Sequence, residues 1–285
     1  MASILDRYGI KEVADVTFYE INADGTPGKP VLFLDTLKVS TIEQTAETAD
    51  ARGGKGNPKL ITWDYGKEIT VNIEDALFSP KSMAIMLGDG TVTKASESVT
   101  KNNVVRATDS HLPNYFIADI YDANEGSVRK KIYTGSEATA PAGMVKLADA
   151  NISLTHVYNE DGTEVKYNSA SITDASKWQS AAVTSGNKYF VQYTAAAATK
   201  TITISGDSFP GTYYVQGDTY ARSDVDGKDQ FFQFIIPKAK MTAENTITLE
   251  AEGDPSTFSM NLTVLRPESG DMMKLVQYDL TGSAG

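Results

Sequence analysis

The chain has 285 residues, of which 41% are apolar and 22% are charged, and it contains no cysteine. This composition is typical of a soluble globular protein, and the lack of cysteine excludes disulfides and thiolate metal sites. The net charge of −11 argues against sequence-reading contact with DNA, which needs basic side chains on phosphates. It is compatible with a surface along which DNA slides without binding, and equally with acidity for solubility alone.

The first part of the chain predicts strands on either side of a long polar segment. Val13–Ile21 reads as a strand, and Glu43–Lys59 reads as a loop because it contains three glycines and a proline. Long loops in compact domains are frequently functional, so we interpret this loop as a docking arm, with a hairpin tip of no function as the alternative. The residues proposed for the inter-ring or inter-subunit contact are Arg52, Gly53, Gly54, Lys55, Gly56, Asn57, Pro58 and Lys59.

A strand and a short helix are predicted to follow this loop. Apolar and polar residues alternate through Glu68–Glu74, a pattern typical of a strand with one buried face. Its polar members are Glu68, Thr70, Asn72 and Glu74. Ser79 as N-cap, Pro80 at the first helical position and Gly88 as the stop signal predict a short helix that caps a sheet.

The middle of the chain predicts a separate β-rich module. Asp89–Asn103 is polar and without periodicity, which indicates a loop, and Tyr115–Tyr121 with Val128–Tyr133 forms a predicted hairpin. Short strands with evenly spaced turns follow from Met144 to Ser205, a rhythm typical of a small immunoglobulin-like sandwich. We therefore place an inserted module at residues 96–205, with 134–205 as its narrower alternative limits.

The last third of the chain predicts a buried strand and a hairpin. Phe231–Ile236 is an apolar run interrupted only by Gln233, and Thr246–Glu252 and Phe258–Leu265 alternate strictly on either side of a Gly-Asp-Pro-Ser turn. The outer face of the first alternating segment carries Thr248, Glu250 and Glu252. Residues 206–280 are therefore predicted to complete the domain begun by residues 1–95, and residues 281–285 to be a flexible tail.

No constellation of residues predicts catalysis or metal binding. The two histidines, His111 and His156, lie in ordinary settings, and Gly53–Gly56 lacks the Gly-Lys-Ser/Thr ending of a phosphate-binding loop. Asp224–Gly227 begins like a calcium loop, but its glycine comes too early and the distal acid is missing. We therefore expect no enzyme activity, no cofactor and no metal site.

Several C-terminal motifs resemble the tail tube proteins (major tail proteins) of tailed bacteriophages: FPGTY, GDTYAR, FQFIIPKAK, TLEAEGDPSTF and MNLTVL. The order of predicted elements in the first ninety residues is similar to that family. The resemblance implies a mainly β fold, with a tail-tube-like β-sandwich or barrel-forming domain, a flanking short helix and the inserted module. It also implies that six copies form a ring, that rings stack into a tube, and that the lumen carries DNA. The lumen-facing candidates are Glu68, Thr70, Asn72, Glu74, Thr248, Glu250 and Glu252.

The resemblance further implies the partners and the location of the chain. The partners would be further copies of the chain, the tape-measure protein, tail-tip or baseplate proteins, a sheath protein in a contractile tail, and passing genomic DNA. The location would be the phage tail in the virion, after assembly in the host cytoplasm. The alternatives from other classes are a capsid or decoration protein and a surface-binding immunoglobulin-like module.

Overall fold

A computed structural model describes residues 7–10, 12–108, 112–122, 124–135, 139–165, 183–243 and 257–278. The chain divides into two compact units, one formed by residues 1–93 with 201–285 and the other by residues 94–200. Both units are built almost entirely from strands, which confirms the predicted mainly β class. Each unit has its own apolar core.

The elements are numbered here in chain order. The first unit begins with β1 (Tyr8–Ile10), β2 (Asp15–Ile21), β3 (Pro27–Leu34), β4 (Leu37–Arg52), β5 (Lys59–Asp75) and α1 (Pro80–Leu87). The second unit contains β6 (Thr93–Arg106), β7 (Tyr115–Asp122), β8 (Gly126–Tyr133), β9 (Met144–Lys146), β10 (Ile152–Asn159) and β11 (Lys188–Thr201). The first unit then resumes with β12 (Thr212–Ser223), β13 (Asp229–Met241), β14 (Phe258–Val264) and β15 (Lys274–Tyr278).

The first unit is organised as one nine-stranded antiparallel sheet. Its main order is β3-β2-β12-β13-β14-β5-β4, with β1 added to β12 and β15 added to β13. Strict alternation in β14 buries Phe258, Met260, Leu262 and Val264, as the period of two in the sequence predicts. The strands at the two ends of the order, β3 and β4, contribute to the same core cluster, so the sheet curls around that cluster. The described strands do not close into a barrel.

The single described helix, α1, forms where the sequence predicts it. The Ser79 side chain accepts a hydrogen bond from the backbone N–H of Ser82, and the Ser82 hydroxyl accepts one from the Ser79 N–H, which together make a capping box. Ile85 and Met86 from this helix are buried in the core of the curled sheet. The helix therefore covers part of the core that the strands leave open.

Two segments that the sequence analysis predicted as loops are strands. Glu43–Lys59 is not an irregular loop, since β4 continues to Arg52 and β5 begins at Lys59. The glycines lie in the turn between β4 and β5. There Gly54 and Gly56 have φ of +82° and +86°, values that favour glycine. Asp89–Asn103 was likewise predicted as a loop, but β6 begins at Thr93. In both cases a polar strand exposed to solvent lacks the apolar alternation that reveals half-buried strands.

The second unit contains two three-stranded sheets, in the orders β10-β11-β6 and β7-β8-β9. The predicted hairpin of β7 and β8 is confirmed, with Tyr115 opposite Tyr133. Side chains from both sheets share one core, in which the Phe116 and Tyr193 rings lie 5.4 Å apart. The Tyr193 hydroxyl accepts a hydrogen bond from the Asp119 backbone N–H at 3.0 Å, and burial raises the pKa of this phenol.

Candidate functional site

One surface of the large sheet carries the described lumen-facing candidates. Ile69, Val71 and Ile73 of β5 are buried, so the intervening Glu68, Thr70, Asn72 and Glu74 lie on the opposite face. Glu68 and Thr70 are exposed, and Asn72 and Glu74 are half-buried. The predicted alternation therefore places these four side chains on one polar surface.

The neighbouring strands extend this surface. In β14, Asn261 lies opposite Asn72, and the Asn72 amide donates a hydrogen bond to the Asn261 side-chain oxygen at 2.6 Å. In β4, Glu43 lies opposite Thr70, and residues opposite each other in an antiparallel pair share a face. We call this surface the polar face, and it comprises Thr41, Glu43, Thr45, Glu68, Thr70, Asn72, Glu74, Ser259, Asn261 and Thr263.

Sequence reasoning did not assign Glu43 to this surface, because it treated Glu43 as part of a loop. The signal that could have found it is the register of the β4–β5 hairpin, which follows from the position of the turn glycines. Lys240 of β13 lies opposite Thr263 and therefore adds a cation to the polar face, where its amino group donates to the Pro210 carbonyl. The other three lumen-facing candidates, Thr248, Glu250 and Glu252, lie outside the described residues, as do the whole predicted strand Thr246–Glu252 and the turn after it.

The distal half of the β4–β5 hairpin extends beyond the rest of the sheet. β14 pairs with β5 only from Thr70 to Asp75, whereas β4 and β5 remain paired as far as Arg52 and Lys59. Among the strands that the structure describes, this distal ribbon therefore has no third strand. We call residues 45–68 the arm; it carries at its tip all eight residues that the sequence analysis proposed for a contact between subunits.

The arm has one apolar and one polar side. The register places Ala51 opposite Ile61, Ala49 opposite Trp63 and Glu47 opposite Tyr65, so this side is apolar except for Glu47 at its end nearest the sheet. The other side carries Thr48 opposite Asp64 and Asp50 opposite Thr62. Ile61, Trp63 and Tyr65 are 53%, 54% and 52% exposed, and we call these three residues the apolar stripe. The stripe was not predicted, because the predicted loop ended at Lys59 and residues 43–52 were not paired with the segment that follows it.

Much of the charge near the tip of the arm is already paired within the arm. The Asp50 carboxylate accepts hydrogen bonds from Lys59 at 2.7 Å, from the Thr62 hydroxyl at 2.8 Å and from Arg52 at 3.3 Å. The Lys59 ammonium, followed by Thr62, holds the pKa of Asp50 below its ordinary value. Of the three cations that the sequence analysis named, Lys55 forms no ion pair within the described part of the chain.

The described part of the first unit is thus an antiparallel sheet with one buried and one polar face, from which a two-stranded arm projects. The YomU/Tube protein family matches residues 8–125 and 124–276, and the chain belongs to this family. The family predicted from the C-terminal motifs is therefore confirmed. No curated protein matches the chain. None of the described helices is long and apolar enough to span a membrane.

Proposed function

We propose that the chain is a tail tube subunit, six copies of which form a ring, and that rings stack into a hollow tube for DNA. The observation that carries this proposal is the polar face, which presents three carboxylates, several amides and hydroxyls, and the Lys240 ammonium on the side of the sheet opposite the core. In a tube, that face would line the lumen and repel phosphates, so DNA would pass without binding. Membership of the YomU/Tube family supports the tube itself.

The proposed partners follow from this role. They are further copies of the chain, the tape-measure protein, tail-tip or baseplate proteins, a sheath if the tail is contractile, and the passing DNA. The proposed location is the virion tail, reached after assembly in the host cytoplasm. The role is structural rather than catalytic, and it needs no cofactor.

Negative-stain electron microscopy of the purified chain across a concentration series, with and without added tail tips, tests the proposed function. Six-fold rings or hollow tubes are the expected result. A chain that stays monomeric or trimeric under all these conditions, and instead binds purified capsids, would be a decoration protein. That result would overturn the tube proposal.

Charge reversal on the polar face is expected to slow DNA ejection. In the variant Glu68→Lys/Glu74→Lys, each copy would present two cations to DNA, and phosphate contacts would retard its movement by on the order of tenfold. Single-particle ejection assays measure the rate, and the effect should weaken as salt is raised. The matched control is Glu268→Lys/Asp207→Lys, which changes the net charge equally at exposed turn positions. Equal ejection rates for both variants would contradict the lumen assignment.

Shortening the tip of the arm is expected to separate ring formation from stacking. Replacing Gly53–Pro58 by Asn-Gly would preserve a hairpin turn but withdraw the tip from a neighbouring ring. We expect rings of normal size and few or no tubes, counted in electron micrographs. The control Lys55→Arg keeps both length and charge and should form tubes normally. Tubes of unchanged abundance from the shortened chain would show that the tip does not carry the contact between rings.

A further inference from the structure

We propose that the apolar stripe Ile61, Trp63 and Tyr65 is an interface with a second copy of this chain. This inference rests on the proposed function and assigns the contact to one side of the arm. The sequence analysis attributed the arm's role to its charged tip. In the structure, the exposed apolar side chains of the stripe lie between that tip and the body of the sheet.

The arm cannot bury the stripe by itself. A two-stranded ribbon has only one layer, and an isolated hairpin is at best marginally stable in water. The residues across the ribbon from Ile61 and Trp63 are Ala51 and Ala49, whose side chains are too small to cover an indole or a branched chain. The three stripe residues are consecutive on one side, and each is more than half exposed. Aromatic residues grouped in this way are typical anchors of protein interfaces.

The polar side of the arm would gain less free energy from a partner than the apolar side would. The Asp50 carboxylate is already hydrogen-bonded to Lys59, Arg52 and Thr62. Moving this network into an interface would cost desolvation without supplying any missing hydrogen bond. The apolar side, in contrast, gains free energy from every square ångström that is removed from water. The geometry therefore favours docking through the stripe.

The free edge of the arm also indicates a second copy. β4 has no proline in its 16 residues, and its one lysine, Lys38, lies outside the arm, whereas β3 at the opposite end of the sheet order contains Pro27, Lys29 and Pro30. Proline and lysine protect sheet edges from pairing with other chains. Among the described strands, the part of β4 that lies in the arm has neither proline nor lysine and no outer neighbour, as expected if it is covered in an assembly of identical subunits.

The chain also carries an apolar surface that could receive the stripe. Leu77 and Phe78, directly before α1, are 64% and 55% exposed, and the Phe78 ring packs against Phe258 with a centroid separation of 4.6 Å. The stripe and this pair are different surfaces of one chain, so contact between them is heterologous. A heterologous contact repeats from copy to copy and generates rings or filaments.

The size of the stripe indicates that it is the centre of a larger contact. Three half-exposed side chains of this size present on the order of 300 Å². A standard interface buries about 800 Å² on each partner. The remaining area would come from the open edge of β4 and its polar surroundings.

The stripe is tested by a matched pair of variants of the full chain. Ile61→Ser/Trp63→Ser removes the apolar side, and Thr48→Ser/Asp64→Ser alters the polar side at residues that face each other across the same two strands. Sedimentation velocity and electron microscopy over a concentration series give the concentration of half-assembly, and circular dichroism confirms the fold. We expect the stripe variant to need at least about a 30-fold higher concentration than the unaltered chain. The polar-side variant should assemble normally.

A second measurement leaves the stripe intact. In a Trp178→Phe chain, Trp63 is the remaining tryptophan, and its emission should shift to shorter wavelength as assembly removes water from the ring. Normal assembly of the stripe variant, or an unchanged Trp63 spectrum on assembly, would overturn the stripe proposal and leave the tube proposal standing. An unaltered chain that stays monomeric at every concentration, also with tail tips added, would overturn both.

Discussion

Replacing Gly217 by valine is expected to destabilise the first unit by about 3–5 kcal/mol, as much as removing a large core side chain. Gly217 of β12 lies opposite Phe234 of β13, and a Cβ at this position would overlap the Phe234 ring. Phe234 is only 3% exposed, so the ring cannot move aside without leaving the core. The free energy of unfolding, obtained from urea titration of the purified chain, measures the effect.

A nearby glycine and a double-mutant cycle serve as controls for Gly217→Val. Gly9 also lies in a strand of the same sheet, but a Cβ there would meet no atom within 4 Å, so Gly9→Ala should change the stability little. In a Phe234→Ala background the ring is absent, and most of the cost of Gly217→Val should disappear. A cost that is unchanged in that background would show that the clash with Phe234 is not its cause.

Replacing Phe116 by alanine is expected to lower the stability of the second unit by about 3–5 kcal/mol. The Phe116 ring is 1% exposed and packs against Tyr193 in a core whose described members all belong to the second unit. Hydrogen exchange followed by mass spectrometry should therefore show lost protection in β7, β8 and β11, while β5 and β13 retain theirs.

The control for Phe116→Ala is the next residue on the strand. Ile117 is 48% exposed on the opposite side of β7, and Ile117→Ala should leave hydrogen exchange nearly unchanged. If Phe116→Ala instead lowered protection equally in both units, the two cores would unfold as one cooperative structure. The expectation of separate unfolding would then be wrong.

The parts of this fold that could be predicted from the sequence are of two kinds. In some, the alternation of apolar and polar residues reflects burial of one face; in others, residues within a single turn determine the structure. The alternation of Glu68–Glu74 and of Phe258–Val264 reflects one buried face, and both segments are half-buried strands. Ser79, Pro80 and Gly88 mark a helix through interactions within a single turn, and that helix is present. The same alternation identified Glu68 and Glu74 as members of the polar face.

Residues 43–59, which include the first strand and the tip of the arm, were predicted as a loop because burial does not shape their sequence. From Glu43 to Arg52 nearly every residue is exposed, so no apolar period is visible, and the glycines of the turn dominated the interpretation. The apolar stripe becomes visible only when Ala49 and Ala51 are set opposite Trp63 and Ile61. Pairing across a hairpin depends on register, and a single strand read alone does not contain this information.

The order of strands in the first unit has a consequence for how the chain is made. The hairpins β2–β3 and β4–β5 leave the ribosome early but occupy opposite ends of the sheet, and the strands that join them, β12, β13 and β14, follow the whole second unit. β2 pairs with β12 and β5 pairs with β14, so neither hairpin has its final neighbour until the segment after the second unit has been made. The second unit is able to fold first, and the waiting hairpins expose unpaired edges meanwhile. Unpaired edges on nascent chains are prone to premature association, so late closure of the sheet makes such association a hazard during biosynthesis.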